Sequence, residues 1–563
     1  MKSIFLMVFS LSICISGLSK TVRIHPNRPL QVQFQKGAVT YRISDALDLK
    51  GKTLVIPDNA TLSFRGGSIV NGTLSGSFKT QRVKYGSFQV KLKKGSSILS
   101  SFPVYNYSPE INASILSACV GGITLKEDID ISSDVNLRCS IDGKGHLLSA
   151  SSDVAVVFRI ASNKAGITID NVNILRQYDG KINTNYAIYC VDSSNITLKN
   201  SSLEGRLYFA NKTFSDNSSD ISSHFVIKDC TLTCDLSSCP QGWEYGQDHI
   251  SFYSIKDVTI ENCKINSTNV NRIIKTSQFF SDQNFVDVSR CTDKVLFRKN
   301  IVKASCDYGK QMWDMFCGST NISILENRFE INGFSRFIED KAYQEKYNAG
   351  VLMSSNIRIA NNIVITSGSD LFQFRTSPQC DSFEVIGNTF IMEGSNINPH
   401  TGYERNCGIY LQGYKQLVIA ENVFEWKDEA CGLLFVKMNF DCKSTTISNN
   451  RLTDVYRINM TSTTHPVSGK QMVRGESFTY HGNSKIYTSD YMKSREEIYV
   501  SDSDVKDFDV EIDNNTFVGS YEVIFAKEVR LGHFSYGSRA KDSKSIHNQT
   551  KTNPWFFFSP KNI

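Results

Sequence analysis

One phrase recurs down the chain: an apolar stretch, then Asn, then two or three residues leading into another apolar pair. It reads IDNVNI at Asn171, LKNSSL at Asn200, IENCKI at Asn262, RKNIV at Asn300 and LENRF at Asn327. It continues as ANNIV at Asn362, IGNTF at Asn388, AENVF at Asn422, SNNRL at Asn450 and DNNTF at Asn515, with Asp229 in the same slot of IKDCTL. A β phrase at a near-fixed period is the signature of a solenoid. Successive markers stand 26 to 38 residues apart, with one gap of 65. About 25 residues hold three short strands and three turns, because strands run about 5 residues. The shortest gaps therefore read as one bare turn, and the longer ones as a turn plus an inserted loop.

Within the units, apolar residues alternate with polar ones, as in ITLKNSSL (196–203) and VTIENCKI (258–265). Period two is a strand signal, and no helical period runs through 160–455. No unit buries its apolar face alone, so neighbours stack and share one core. Asn tolerates the left-handed backbone and bonds nearby backbone groups. Stacked turn on turn, these side chains predict an amide ladder. The Asn-x-Ser/Thr matches at Asn195 and Asn321 read as the same turn chemistry.

The strand-plus-turn CGIYLQGYKQLVIAENVF (407–424) and the stretch LVIPDNATLSFRGGSIVNGTLSG (54–76) carry a resemblance. The chain resembles right-handed parallel β-helix proteins of the pectate-lyase-like superfamily, of the secreted bacterial type, over roughly residues 110–535. The expected fold is all-β: a right-handed parallel β-helix solenoid with a small N-terminal β cap and long loop insertions. The resemblance implies carbohydrate-active chemistry in a groove along the coil. The paired Asp and Gly-His-Gly pattern of polygalacturonase-like hydrolases is missing, as is the Arg-centred signature of pectate lyases. Substrate and reaction must then be argued from the site.

Residues 1–20 place Lys2 before the apolar run IFLMVFSLSICISG and read as a signal peptide. This predicts export to the periplasm, the cell surface or the medium. No later apolar run is long enough to span a bilayer. Residues 21–105 read as a β lead-in and cap, 106–540 as the β-helix and 541–563 as an aromatic tail packed on the last turn. Within 105–125, SPEINASILSACVGG predicts a short helix. Insertions are expected at 204–224, 234–248, 266–284, 333–348 (with helical character), 395–406 and 456–508.

The net charge of +6 is small for 563 residues and compatible with an acidic polysaccharide. No Lys/Arg cluster interleaves with aromatics, which argues against nucleic acid. Of the 15 cysteines, those in strand-like positions (Cys190, Cys263, Cys291, Cys317, Cys407 and Cys431) read as small hydrophobes. The C-x3-C-x4-C group at Cys230, Cys234 and Cys239 reads as a loop-closing disulfide.

In the enzymes this chain resembles, the strand before the Asn phrase lines the groove. Those strands are YAIYCVD (186–192), DHISFYS (248–254), NFVDVSR (284–290), MWDMFCG (312–318), DLFQFRT (370–376), CGIYLQG (407–413) and CGLLFVK (431–437). Alternation sends Ile250, Phe252, Phe372, Phe374, Ile409 and Leu411 inward. It sends His249, Ser251, Tyr253, Gln373, Arg375, Tyr410 and Gln412 outward, and Asp287 with them. Asp314 points outward or inward according to whether its strand is aligned by its own alternation or from Asn327.

Stacked strands lie about 4.8 Å apart, so residues about 30 apart in sequence converge. Asp248, His249, Asp287, Lys310, Asp314 and Arg375 fall on successive turns in mid-coil and form the candidate catalytic group. A glycoside hydrolase needs two carboxyl groups, here Asp287 with Asp314, and Asp248 in reserve. A lyase acting on uronic acids needs a base and a cation, roles that suit Lys310, His249 and Arg375. Clustered carboxylates would admit calcium. Trp243, Trp313, Tyr410, Gln373 and Gln412 are the candidate sugar-binding residues, the aromatics by stacking. The competing expectation is a non-catalytic glycan-binding, adhesin or structural β-helix.

Overall fold

The computed structural model describes residues 20–181, 184–213, 222–240, 247–277, 291–316, 318–341, 354–368, 370–374, 380–393, 407–412, 414–426, 434–439, 444–453 and 457–460, and short strands between 479 and 558. The expected signal peptide lies outside the described residues, apart from Lys20. The chain is nearly all β and divides into two compact units, Met1–Thr124 and Leu125–Ile563.

The first unit carries short parallel strands such as Thr40–Ile43, Thr61–Phe64 and Ser77–Gln81. Its helix Pro109–Ala118 falls in the segment expected to be helical. Ser108 caps it by accepting from Ile111 N, and Pro109 opens it where a missing N–H costs nothing. Its Ser114 hydroxyl accepts from Leu92 N at 3.0 Å.

The second unit is built from three ladders of parallel strands. Each rung contributes one strand before the Asn turn, one after it, and a third that follows. Ile167–Asp170, Ile196–Lys199, Ser223–Lys228 and Lys256–Glu261 pair in sequence in the first ladder. Asn173–Arg176, Ser202–Glu204, Thr231–Asp235 and Lys264–Thr268 follow the turns in the second. Val156–Ala161, Tyr186–Val191, Arg206–Ala210, Asp248–Tyr253 and Arg272–Ser277 form the third. Ile301–Phe316 and Arg328–Lys341 each run through both the second and third. Like residues stack in the core: Ile169, Leu198, Ile227, Ile260, Phe297, Ile324, Ile359, Val385 and Ile419 oppose one another in register, all buried. The tail strand Trp555–Phe558 pairs antiparallel with Glu522–Ala526.

The recurrent Asn occupies two adjacent positions, which the sequence pattern merges into one. The left-handed turn residue is Asn171 (φ 53°), Asn200 (51°), Asp229 (53°) and Asn262 (55°), but then Lys299 (56°), Glu326 (58°), Asn361 (57°), Gly387 (67°) and Glu421 (59°). From Asn300 to Asn450, the Asn of the phrase is the next residue and is buried. There the predicted amide ladder exists. Asn327 Nδ2 donates to Asn362 Oδ1 at 2.9 Å, Asn362 to Asn388 at 2.9 Å, Asn388 to Asn422 at 3.0 Å and Asn422 to Asn450 at 2.9 Å. Each Oδ1 also accepts the backbone N–H of the Asn one rung earlier. Earlier rungs put Val172, Ser201, Cys230 and Cys263 in this slot.

Three expectations about loops are corrected. Residues 206–210 and 272–277 are strands of the third ladder rather than inserted loop. Residues 333–341 continue a strand and are not helical. In the rungs of Arg206–Ala210 and Arg272–Ser277 the third strand follows the second after a few residues and the insertion comes after it, whereas Asp248–Tyr253 begins only after the insertion that follows Asp235. The pattern-based reading put the insertion first. NFVDVSR (284–290) was therefore expected in the place that Arg272–Ser277 holds, and itself lies outside the described residues. No disulfide joins Cys230, Cys234 and Cys239 to one another; all three are buried in the core.

Candidate active face on the third ladder

The third-ladder strands do not alternate at their starts. His249 and Ile250 are both fully buried, as are Ile273 with Ile274 and Met312 with Trp313. The strand begins at a corner of the rung, where two successive side chains turn into the core before period two resumes. This corrects His249, expected outward: it is fully buried and lies opposite Ile273 of the next strand. Its Nδ1 shares a hydrogen bond of 2.8 Å with Ser267 Oγ, and Nε2 has no partner among the described residues. Burial, helped by the nearby Arg206 charge, lowers its pKa to about 3, so the ring is neutral. Trp313 is corrected in the same way. It is a core residue edge-on to Phe297, with Nε1 donating to Thr276 Oγ1 at 3.0 Å, and offers no face to a sugar.

Outside the corner, charged residues stack at successive strand starts. Arg206 Nε donates to the Asp248 carbonyl at 2.9 Å. Arg272 grips two carboxylates, Asp248 Oδ1 through Nη1 at 2.9 Å and Asp314 Oδ2 through Nε at 2.7 Å. Asp248 is 3% exposed and Asp314 1%. Burial works to raise the Asp248 pKa, but Arg272, Lys275 and Arg206 outweigh it and hold the carboxyl ionised below its usual range. Arg272 is correspondingly raised: burial opposes its charge, and the two aspartates overcome that cost. Glu339, in register with Asp314, pairs with Arg336 Nη1 at 3.0 Å. Gln311 stands opposite Arg336, and neither end of its amide has a partner among the described residues. Asp340 turns inward, with its Oδ2 accepting from Ser354 N at 3.0 Å. Burial raises its pKa well above the usual value, which favours the protonated form.

Next to this acidic group the outward face is aromatic and cationic. Arg159, Tyr189 and Tyr208 are in register on consecutive strands, and Ser251, Lys275 and Asp314 continue the row. Tyr189 and Tyr208 stack with centroids 4.7 Å apart. Lys212 Nζ donates to Tyr189 OH at 2.8 Å and lies 5.5 Å from the Tyr208 ring centre. The Arg159 guanidinium sits 5.0 Å from the Tyr189 ring and Lys275 Nζ 5.4 Å from that of Tyr253. Arg159, Tyr189, Tyr208, Lys212, Tyr253 and Lys275 are half-buried, while Ser251 and Asp314 in the same row are buried.

Of the residues singled out in the sequence, Asp248 and Asp314 are brought together, joined by Arg272. Asp287, Arg375 and Trp243 lie outside the described residues. So do the side chains of Lys310, Gln373, Tyr410 and Gln412, whose backbones belong to third-ladder strands. Arg206, Arg272 and Arg336 were missed because their strands were read as loop or helix. A signal was present: RLYFA, RIIKTS and RFIEDK each open with Arg before an apolar run. Among the described residues, no group of three or more His, Cys, Asp or Glu is placed to hold a metal ion. No helix among them is long and apolar enough to cross a membrane. Compared with protein-family models, with curated proteins and with solved structures, the chain matches none.

Proposed function

We propose that this chain is a right-handed parallel β-helix protein, exported, that takes an anionic polysaccharide along the outward face of the third ladder and cleaves it. The observation carrying this reading is the in-register row of Arg159, Tyr189, Tyr208 and Lys275 with Lys212 beside it. Repeating cations match the repeating carboxylates of a uronic-acid polymer, and phenol edges offer hydrogen bonds to sugar hydroxyls.

Elimination fits this face better than hydrolysis. Hydrolysis needs one protonated carboxyl beside one ionised carboxylate. Asp248 is held ionised and Asp314 shares its guanidinium, while the protonated Asp340 is fully buried. For elimination, Lys275 would neutralise the uronate and the charge that grows as the neighbouring proton leaves. Tyr253, kept a phenol because burial raises its pKa, would protonate the leaving oxygen. Lys310 remains the candidate base.

One observation favours a second reading, binding without cleavage: Asp248, Asp314 and Glu339 are sealed from solvent by their own arginine partners. A screen against uronic-acid polymers and neutral polysaccharides separates the two. Unsaturated, ultraviolet-absorbing ends on acidic polymers alone support elimination. Reducing ends without that absorbance refute it in favour of hydrolysis. Retention of acidic polymers with no new ends supports binding alone.

A further inference from the structure

Where the amide ladder is missing, two thiols take its place. Cys230 follows the left-handed Asp229, and Cys263 follows the left-handed Asn262. Both sit in the slot that Asn fills from Asn300 to Asn450, and the ladder meets them where Cys263 N donates to Asn300 Oδ1 at 2.8 Å. Thr231 is in register with Lys264, so Cys230 and Cys263 stand directly opposite on adjacent parallel strands. Lys264 N donates to the Cys230 carbonyl at 2.9 Å and fixes that register. Neighbouring strands lie about 4.8 Å apart, inside the Cα window of about 4.4–6.8 Å that a disulfide spans. The two residues are 2% and 1% exposed.

We propose that Cys230 and Cys263 are a latent disulfide, closed by thiol–disulfide exchange to staple two consecutive rungs.

The Cys230 thiol donates to Lys228 O at 3.2 Å and the Cys263 thiol to Glu261 O at 3.3 Å, so both are held at the strand edge where the rungs meet. The neighbouring thiol holds Cys230 below its ordinary pKa and Cys263 above it. Cys230 is therefore the better nucleophile. Burial drives Cys190 and Cys234 the other way, each up to about 12. With a small disulfide such as oxidised glutathione, the Cys230 thiolate attacks one sulfur and releases one glutathione thiol. Cys263, losing its proton, then attacks Cys230 Sγ and releases the second. Two cysteine thiols and one oxidised glutathione become one protein disulfide and two reduced glutathiones. Burial confines the exchange to folding or to local opening of this turn. Once formed, the bond holds two rungs that lack the Asn–Asn bonds of their successors.

The test uses the full chain refolded with oxidised and reduced glutathione, compared with the same chain in dithiothreitol. Free thiols are blocked in denaturant before non-reducing peptide mapping by mass spectrometry. The expected result is a Cys230–Cys263 cross-linked peptide and a thermal midpoint above that of the reduced chain, reversed by dithiothreitol. Ser201 already occupies the same slot, so C230S/C263S should fold and show no redox-dependent midpoint. Full alkylation of both cysteines after oxidation, their pairing with other cysteines, or a redox shift that persists in the double variant would each overturn the proposal.

Discussion

Asn362→Ala tests the inner amide ladder at its centre. The Asn362 amide donates to Ile324 O at 2.8 Å, to Asn388 Oδ1 at 2.9 Å and to Ala360 O at 3.0 Å. Its Oδ1 accepts from Asn327 N and Nδ2, both at 2.9 Å. Truncation removes five contacts in a fully buried column and leaves the Asn327 N–H without an acceptor. A buried orphan costs about 1–3 kcal/mol, and each lost net bond about 0.5–1.5 kcal/mol. Allowing for relaxation, the expected loss is about 3–5 kcal/mol, at the high end for one substitution. The contrast is Asn200→Ala. Asn200 is exposed, bonds Asp170 Oδ1 at 2.9 Å and has φ 51°. Its loss should cost about 1–2 kcal/mol, mostly backbone strain in the left-handed region. Guanidinium unfolding followed by tryptophan fluorescence compares the two, Trp313 being buried in the same unit. A cost at Asn362 no larger than that at Asn200 would refute the assignment of the ladder to the inner position.

Further outcomes follow from the buried charges. His249 has a folded pKa of about 3 against 6.5 unperturbed, so only the unfolded chain takes up its proton between those values. Stability present above pH 6.5 is then lost as pH falls towards 3, on the order of 5 kcal/mol. His249→Leu with Ser267→Ala should flatten that acid limb in unfolding titrations. Asp340 has the opposite sign. Its raised pKa gives stability that is full below the unfolded value of about 3.9 and lost as pH rises. Asp340→Asn should therefore gain stability relative to the parent on going from about pH 5 to pH 8, measured by denaturant midpoints. Arg272→Met strands two buried carboxylates and should cost about 3–5 kcal/mol at neutral pH, with part recovered in acid as Asp248 protonates.

The period-two alternation and the Asn phrase made the stacked parallel strands legible, because both depend on local spacing. The corners were not legible. Alternation sent His249 outward, yet where a strand starts at a corner two successive residues face the core. The turn and ladder positions merged because Asn serves both, in one by tolerating a positive φ and in the other by bonding along the stack. At Lys299 and Glu326 the turn needs no Asn, and only the ladder kept it. The acidic half of the site was half legible. Asp248 and Asp314 stood out as carboxylates, but Arg272, which joins them, lay in a strand mistaken for an insertion. Tyr189, Tyr208 and Lys212 come together only through register between rungs, which no single stretch of sequence displays.

The central claim is that this outward face takes an anionic polysaccharide. Affinity electrophoresis of the full chain in gels containing a uronic-acid polymer or a neutral glucan tests it directly, with the double variant Tyr189→Ala/Lys212→Ala alongside. The account predicts retardation by the acidic polymer only, weakened by salt as exposed charge pairs are screened, and at least tenfold weaker in the variant. Equal retardation of parent and variant, or migration unaffected by any acidic polymer, would contradict it.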